Sequence, residues 1–318
     1  MKVTVVGGGT WGTAFSSLLA ERGHEVTLAC RDPLQAAAIA ENGRNPRYLP
    51  ELELAGVEAR TLEADALTDC ELLGIAVPSH EFRGALENLP DSAPLLILTK
   101  GLDPSSGRRL SELTVSRPTA VLVGPNHAEE IARGLPAAAV VASEDEPLAA
   151  RVQDAVHSSR FRVYLNDDVV GVELCAAVKN VMALAAGAVD GLGLGDNAKA
   201  ALISRGLAEM GRLAAACGAR PETFAGLAGM GDLVVTSWSR YSRNRRAGEL
   251  VARGRSVAEA EREIGMVVEG ITTAPVLRDL SQRLEIELPI TEAVCRVVDG
   301  GLPHELVSTL MARRPTTE

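Results

Sequence analysis

Lys2–Val6 (KVTVV) runs at once into Gly7-Gly8-Gly9-Thr10-Trp11-Gly12. The first run is apolar and mostly β-branched, as a buried strand requires. Residues 13–22 (TAFSSLLAER) turn helical, and Gly23 stands where a left-handed residue stops a helix. The result is G-x-G-x-x-G between a strand and a helix, the context that makes this spacing a dinucleotide fingerprint. Gly7 permits the tight turn, Gly9 lets backbone approach a pyrophosphate, and Gly12 lets helix and strand pack closely. The start of the helix then offers N–H groups and the positive end of its dipole to the phosphates, with Thr10 and Trp11 in the turn.

Working outward, a second strand is expected at residues 26–30, with Pro33 opening a helix through about residue 41. Further strand-like runs lie at 72–77, 95–99, 120–123, 137–142 and 161–165. Helical patterns at 81–88, 108–113, 128–133 and 147–157 separate most of them. Alternating β and α with continuously apolar strands means a Rossmann-type, doubly wound, mostly parallel sheet covered on both faces. Residues 43–62, with Pro46, Tyr48 and Pro50, are expected as an extended loop lying over the cofactor.

Ligands of such sheets bind beyond the carboxyl ends of the strands. Arg31 stands there after the second strand, Pro78-Ser79-His80 after Val77, Lys100-Gly101 after Thr99, and Gly124-Pro125-Asn126-His127 after Val123. Lys100 is either a cation facing the crevice or a solvated loop charge. An acidic residue about 20 positions past the fingerprint binds a ribose 2′-OH, whereas Arg accommodates a 2′-phosphate. Arg31 precedes Asp32, so both readings are open; Arg31 lies nearer the strand end and favours NADPH, with NADH tolerated.

From about Asp168 the strand signal nearly stops, and an all-α C-terminal domain follows. Helices are expected at 169–189, 198–217, 242–253, 257–264, 272–284, 292–298 and 304–313. Ser256 with Glu259 reads as a capping box, Gly218 and Gly254 as helix stops, and Thr291 as an N-cap. The expected domains are 1–165 and 166–318, the break falling somewhere in 160–190. In the long helix Lys179-Asn180 interrupts an apolar run (CAAVKNVMALAAGA). Lys179 either snorkels or is buried, and burial lowers an ammonium pKa toward proton exchange near neutrality. Only four of the 32 basic residues are lysine (Lys2, Lys100, Lys179, Lys199), and Lys, unlike Arg, can release a proton. The turn at 229–233 supplies Asp232 to orient such a lysine. Ser242-Arg243-Asn244-Arg245-Arg246 opens a helix with groups suited to a phosphomonoester, or simply with a solvated basic turn.

Length and composition bound the function classes. At 318 residues two domains are expected. A net charge of −10 with no basic run argues against nucleic-acid binding. The five scattered cysteines read as small buried residues of a reducing compartment, with no metal-ligand spacing. A strand beginning at residue 2 leaves no room for a leader, and no apolar run reaches the ~18 residues of a membrane span. A cytoplasmic protein is expected.

Together these motifs resemble the bacterial type of NAD(P)-dependent glycerol-3-phosphate dehydrogenase. The resemblance rests on GGGTWGTA at 7–14, VPSH at 77–80, TKGL at 99–102, GVELCAAVKNVMALAAG at 171–187, ALISRGLAEM at 201–210, GMGDLVVT at 229–236, SRNRR at 242–246, VVEG at 267–270 and LPITE at 288–292. It implies NADPH-dependent reduction of dihydroxyacetone phosphate to sn-glycerol 3-phosphate for phospholipid synthesis, by a homodimer whose active site lies between the domains. Carried over, Lys179 is the general acid/base, with Asp232 as its catalytic partner. Lys100, Asn180, Asp232 and Thr236 position substrate, Ser242, Arg243 and Asn244 hold its phosphate, and Gly124 and Asn126 contact it. Thr10, Trp11, Arg31, Lys100, Ala128, Arg243, Val267 and Glu269 face the cofactor, with Gly7, Gly9 and Gly12 of the fingerprint. One departure stands out: the family reads Gly-Pro-Ser/Thr-Phe-Ala where this chain has Gly124-Pro125-Asn126-His127-Ala128.

Two other readings share the fingerprint. A 3-hydroxyacid dehydrogenase or ketopantoate-reductase-like enzyme would reduce a carboxylate-bearing substrate, which gives SRNRR and TKGL no purpose. A non-catalytic NADPH sensor would not need Lys179 with Asp232.

Overall fold

The computed structural model describes residues 1–63, 67, 70–90, 93–114, 117–304 and 307. The chain divides into two compact units, Met1–Glu173 and Leu174–Glu318. The first carries one eight-stranded sheet: β1 (Lys2–Val6), β2 (Glu25–Cys30), β3 (Val57–Thr61), β4 (Leu72–Ile75), β5 (Leu95–Ile97), β6 (Thr119–Val123), β7 (Ala137–Ser143) and β8 (Phe161–Asn166). Their order is β3-β2-β1-β4-β5-β6-β7-β8. Neighbours from β3 across to β6 are parallel, with Val5 beside Leu28 on one flank and Gly74 on the other. β7 turns antiparallel to β6, and β8 runs parallel to β7. The order reverses at β1, the topological switch point where open α/β sheets bind ligands.

Helices α1 (Thr10–Glu21), α2 (Pro33–Asn42), α3 (Phe82–Glu87), α4 (Ala128–Ile131) and α5 (Glu146–Val156) alternate with these strands. The core draws on Val3, Val5, Phe15, Leu19, Leu28, Leu72, Leu96, Leu122, Val141, Val152 and Phe161, all buried. Each such side chain contributes about 1.5–3 kcal/mol on leaving water. α1 starts three residues earlier than its apolar pattern, because Thr10, Trp11 and Gly12 already form its first turn.

Two expectations need correction in this unit. The stretch 43–62 is not wholly a loop, for it ends in β3. That strand (VEART) buries only Ala59, while Glu58 and Arg60 pair at 2.7 Å on its exposed side. A charged edge strand gives little apolar signal. The helix expected at 108–113 is only a 3₁₀ turn, Leu110–Leu113: the Glu112 carboxylate accepts the Arg109 N–H at its start at 2.8 Å, and Thr114 N–H closes it on Ser111 O at 3.1 Å.

The second unit is helical: most of α6 (Val169–Gly191), then α7 (Gly195–Ala216), α8 (Pro221–Ala225), α9 (Asp232–Trp238), α10 (Arg243–Ala252), α11 (Val257–Ile264), α12 (Glu269–Arg283) and α13 (Pro289–Val298). α8 and α9 were not expected as helices. Gly226, Gly229 and Gly231 interrupt the periodicity, and a π turn, Leu227–Gly231, joins the two. The expected helix at 304–313 lies almost wholly outside the described residues. α6 is long and apolar enough to span a membrane by composition, yet 89% of its most apolar window is buried in the protein. Small residues let neighbours touch its backbone: a Cβ on Gly248 would sit 1.9 Å from Leu184 O, and one on Gly270 2.6 Å from Asn180 O.

Helix ends follow the sequence signals with one exception. The Ser256–Glu259 capping box is present, and Gly218 and Gly254 take φ of 75° and 95°. Thr291 is not an N-cap, since α13 begins two residues earlier at Pro289. The buried Glu209 carboxylate caps it instead, accepting the Ile290 N–H and, at 3.2 and 3.1 Å, the Thr291 N–H and hydroxyl. The five cysteines are free thiols; Cys30, Cys175 and Cys295 are buried, and Cys70 and Cys217 half-buried.

Candidate functional site

In the nucleotide-binding unit the three fingerprint glycines do three different things. A Cβ on Gly12 would lie 2.0 Å from Gly7 O, so the first turn of α1 rests directly on the end of β1. Gly7 has φ of 113°, and its Cβ would strike Ala76 O at 2.6 Å. Around a Gly9 Cβ nothing lies within 4 Å, which leaves the backbone approachable there. The turn is held from outside by residues the sequence did not single out. Fully buried Asn45 donates to Gly8 O at 3.0 Å and to the Thr13 hydroxyl at 2.8 Å, and Gln35 donates to Gly8 O at 2.7 Å. Asn45 Oδ1 also accepts from Arg47 N and Tyr48 N, both at 3.2 Å, fastening the following loop to the fingerprint. The Asn-Pro pair at 45–46 was the available signal.

Arg31 and Asp32 part company just past β2. The Asp32 carboxylate caps α2, accepting Leu34 N–H at 2.9 Å. Arg31 keeps 78% of its side chain exposed and pairs with Glu81. That hydrogen bond, with the Glu81 charge behind it, holds the guanidinium above its usual pKa range. Lys100, past β5, donates to Asn126 Oδ1 at 2.9 Å and to Gly124 O at 3.4 Å, past the neighbouring β6. The departure at Asn126 therefore gives Lys100 a direct partner. Gly124, at φ 150°, clears the backbone of Ala138 and Ala139, and Ala128 opens α4.

These residues suit a dinucleotide. Trp11 Nε1 and Asn126 Nδ2 are buried donors without a protein acceptor. Such a group costs about 1–3 kcal/mol when left unsatisfied, so acceptor-bearing ligand atoms suit both positions.

In the helical unit Lys179 is buried, not snorkelling, with 4% of its surface exposed. Its Nζ lies 2.6 Å from Asp232 Oδ1 and donates to Thr236 Oγ1 at 3.1 Å, and Thr236 Oγ1 donates to Asp232 at 3.2 Å. α6 supplies the lysine and α9 both partners, Asp232 and Thr236 being one helical turn apart. An ammonium this buried needs its anion. Next to Lys179, Asn180 Oδ1 accepts from Asn244 Nδ2 at 2.9 Å, and Asn244 Oδ1 accepts Gly270 N–H at 2.8 Å, so two amides tie α6, α10 and α12 together.

Ser242 is the buried N-cap of α10, its Oγ accepting Arg245 N–H at 3.2 Å. Arg243 donates to Val267 O at 2.9 Å, two residues before Glu269 at the start of α12. Arg245, in the first turn of the same helix, is engaged elsewhere: it pairs with Asp190 and Glu249 at 2.8 and 2.9 Å. Lys199 shares Asp190 at 2.8 Å and lies over the Trp238 ring.

The switch-point glycine turn marks the first unit as that of a dinucleotide-binding protein, and the second unit carries a buried, anion-held lysine. Comparison with known proteins narrows this. Residues 2–149 match the family described as NAD-dependent glycerol-3-phosphate dehydrogenase N-terminus, and residues 168–308 match its C-terminus. A glycerol-3-phosphate dehydrogenase (NAD(P)+) of Thermoanaerobacter sp. (strain X514) is 46% identical over 98% of this chain and 97% of its own. That of Anaeromyxobacter dehalogenans (strain 2CP-C) is 45% identical with both chains covered in full. The crystal structure of glycerol-3-phosphate dehydrogenase from Coxiella burnetii superposes with a TM-score of 0.95 at 37% identity, over 98% of this chain and 99% of that one. The chain belongs to the NAD-dependent glycerol-3-phosphate dehydrogenase family.

Proposed function

We propose that this chain reduces dihydroxyacetone phosphate to sn-glycerol 3-phosphate, using NADPH and tolerating NADH. The observation that carries the reading is the Lys179–Asp232–Thr236 cluster. When bound, the reduced nicotinamide supplies a hydride to the substrate's C2 carbonyl carbon. Negative charge then develops on the carbonyl oxygen, and the Lys179 ammonium stabilises it and donates the proton that completes the alcohol. Asp232 holds the ammonium charged and oriented beforehand, and Thr236 fixes its direction. Solvent returns the proton to Lys179, so one ketone, one hydride and one proton give one alcohol.

The remaining roles follow from chemistry and the family resemblance. Ser242, Arg243 and Asn244 hold the phosphate, since an α10 N-terminus with a hydroxyl, a guanidinium and an amide suits a phosphomonoester. Lys100, Gly124, Asn126 and Asn180 position the rest of the substrate. Gly7, Gly9, Thr10, Trp11, Gly12, Lys100, Ala128, Arg243, Val267 and Glu269 face the dinucleotide. Arg31 takes the 2′-phosphate. The resemblance further supports a cytoplasmic homodimer that feeds glycerophospholipid synthesis.

The test follows NADPH absorbance with dihydroxyacetone phosphate and, separately, with ketopantoate. Decay with the phosphoester alone is expected. Decay with ketopantoate alone would transfer the chain to a carboxylate-reducing role, and decay with neither would make it a sensor.

A further inference from the structure

We propose that Glu81 sets the dinucleotide preference by competing with the 2′-phosphate for Arg31. The sheet order places the pair. Arg31 is the first residue past β2, and Glu81 ends the 3₁₀ turn Ser79–Glu81 that follows β4. β1 lies between those two strands, so the Arg31–Glu81 pair reaches across the carboxyl end of β1, where the glycine turn sits. This is the adenosine end of a dinucleotide crevice.

The pair does little for the fold. Arg31 is 78% exposed on its side chain and Glu81 33%, and exposed pairs are worth about 0.2–1 kcal/mol. It matters to a ligand instead. A 2′-phosphate must take the guanidinium from Glu81 and then lie beside the carboxylate it displaced. A 2′-hydroxyl can leave the pair closed. Asp32 does not duplicate Glu81, because its carboxylate is turned to the α2 N-terminus. Glu81 thereby weakens NADPH relative to NADH, and the chain's tolerance of NADH is partly its doing. The inference rests on the assignment of Arg31 to the 2′-phosphate made above.

The test is a set of direct binding measurements on the full chain, by calorimetry or tryptophan fluorescence, with NADPH, NADH and 2′,5′-ADP. The variants are Glu81→Gln, Arg31→Ala and the double substitution, with circular dichroism to verify folding. Glu81→Gln is expected to tighten NADPH and 2′,5′-ADP by about two- to fivefold, the upper part of the range of an exposed pair, and to leave NADH unchanged. The gain should disappear on the Arg31→Ala background and shrink as salt rises. Unchanged or weaker NADPH binding by Glu81→Gln overturns the proposal, as does a gain that persists without Arg31. If Arg31→Ala alone leaves NADPH and 2′,5′-ADP affinity intact, the Arg31 assignment itself fails and the proposal with it, while the reduction reaction is untouched.

Discussion

Lys179 and Asp232 lie 2.6 Å apart with almost no exposed surface, and that proximity separates their two contributions. Removing one member strands a buried charge, which typically costs about 3–5 kcal/mol, whereas replacing both by apolar groups is often neutral. Asp232→Ala should therefore lower the unfolding free energy by about 3 kcal/mol in urea denaturation. The double variant Lys179→Met/Asp232→Leu should regain most of that stability and none of the turnover. A double variant as unstable as the single one would contradict the buried-pair account. At this scale the sequence pointed to candidate residues but not to how they are held. Lys179 stands out as the one charge in the run 175–188 (CAAVKNVMALAAGA), and Asp232 as a carboxylate beside glycines. Asn45 carries only the turn signal of Asn-Pro and Glu81 none at all, because a hydrogen bond across 37 positions, or an ion pair across 50, leaves no periodic trace.

Among elements, strongly patterned segments were legible and weakly patterned ones were not. β1, β2 and α6 declare themselves through largely apolar runs. β3 does alternate, but over five residues of which only Ala59 is buried, too short and too little apolar to stand out, and α8 and α9 are divided by glycines that break the 3.6 period. α13 shows a further limit: its cap comes from Glu209 on α7, 81 residues earlier. Burial is the largest influence on Glu209 and raises its pKa above the ordinary 4.5, against the lowering by its hydrogen bonds to Ile290 and Thr291. The folded state thus retains its proton longer than the unfolded chain. The associated stability is fully present below about pH 4.5 and is lost as pH rises through the raised folded value. Glu209→Gln keeps an acceptor for the α13 N–H groups but cannot ionise. Urea denaturation across that pH window should show a shallower fall in stability for Glu209→Gln than for the wild type. Glu173, whose pKa burial also raises despite Ser111 and Arg109, accounts for part of the slope that remains. An identical slope in the variant would mean that Glu209 does not titrate in this window.

For the whole molecule, the fold class was legible because the fingerprint fixes its own context: a strand, a turn with no room for Cβ at Gly12, and a helix. The substrate was not legible there. It came from motifs hundreds of residues along the chain, which only their joint order could tie to one reaction. In the proposed reaction Lys179 completes the reduction that the cofactor's hydride begins. The direct measurement is rapid-mixing turnover of dihydroxyacetone phosphate by wild type and Lys179→Met, with the NADPH dissociation constant determined on the same samples. An unchanged dissociation constant with kcat lower by about 10²–10⁴-fold is predicted, the range for losing a positioned proton donor. A Lys179→Met enzyme that binds NADPH normally and still turns over at the wild-type rate would contradict it.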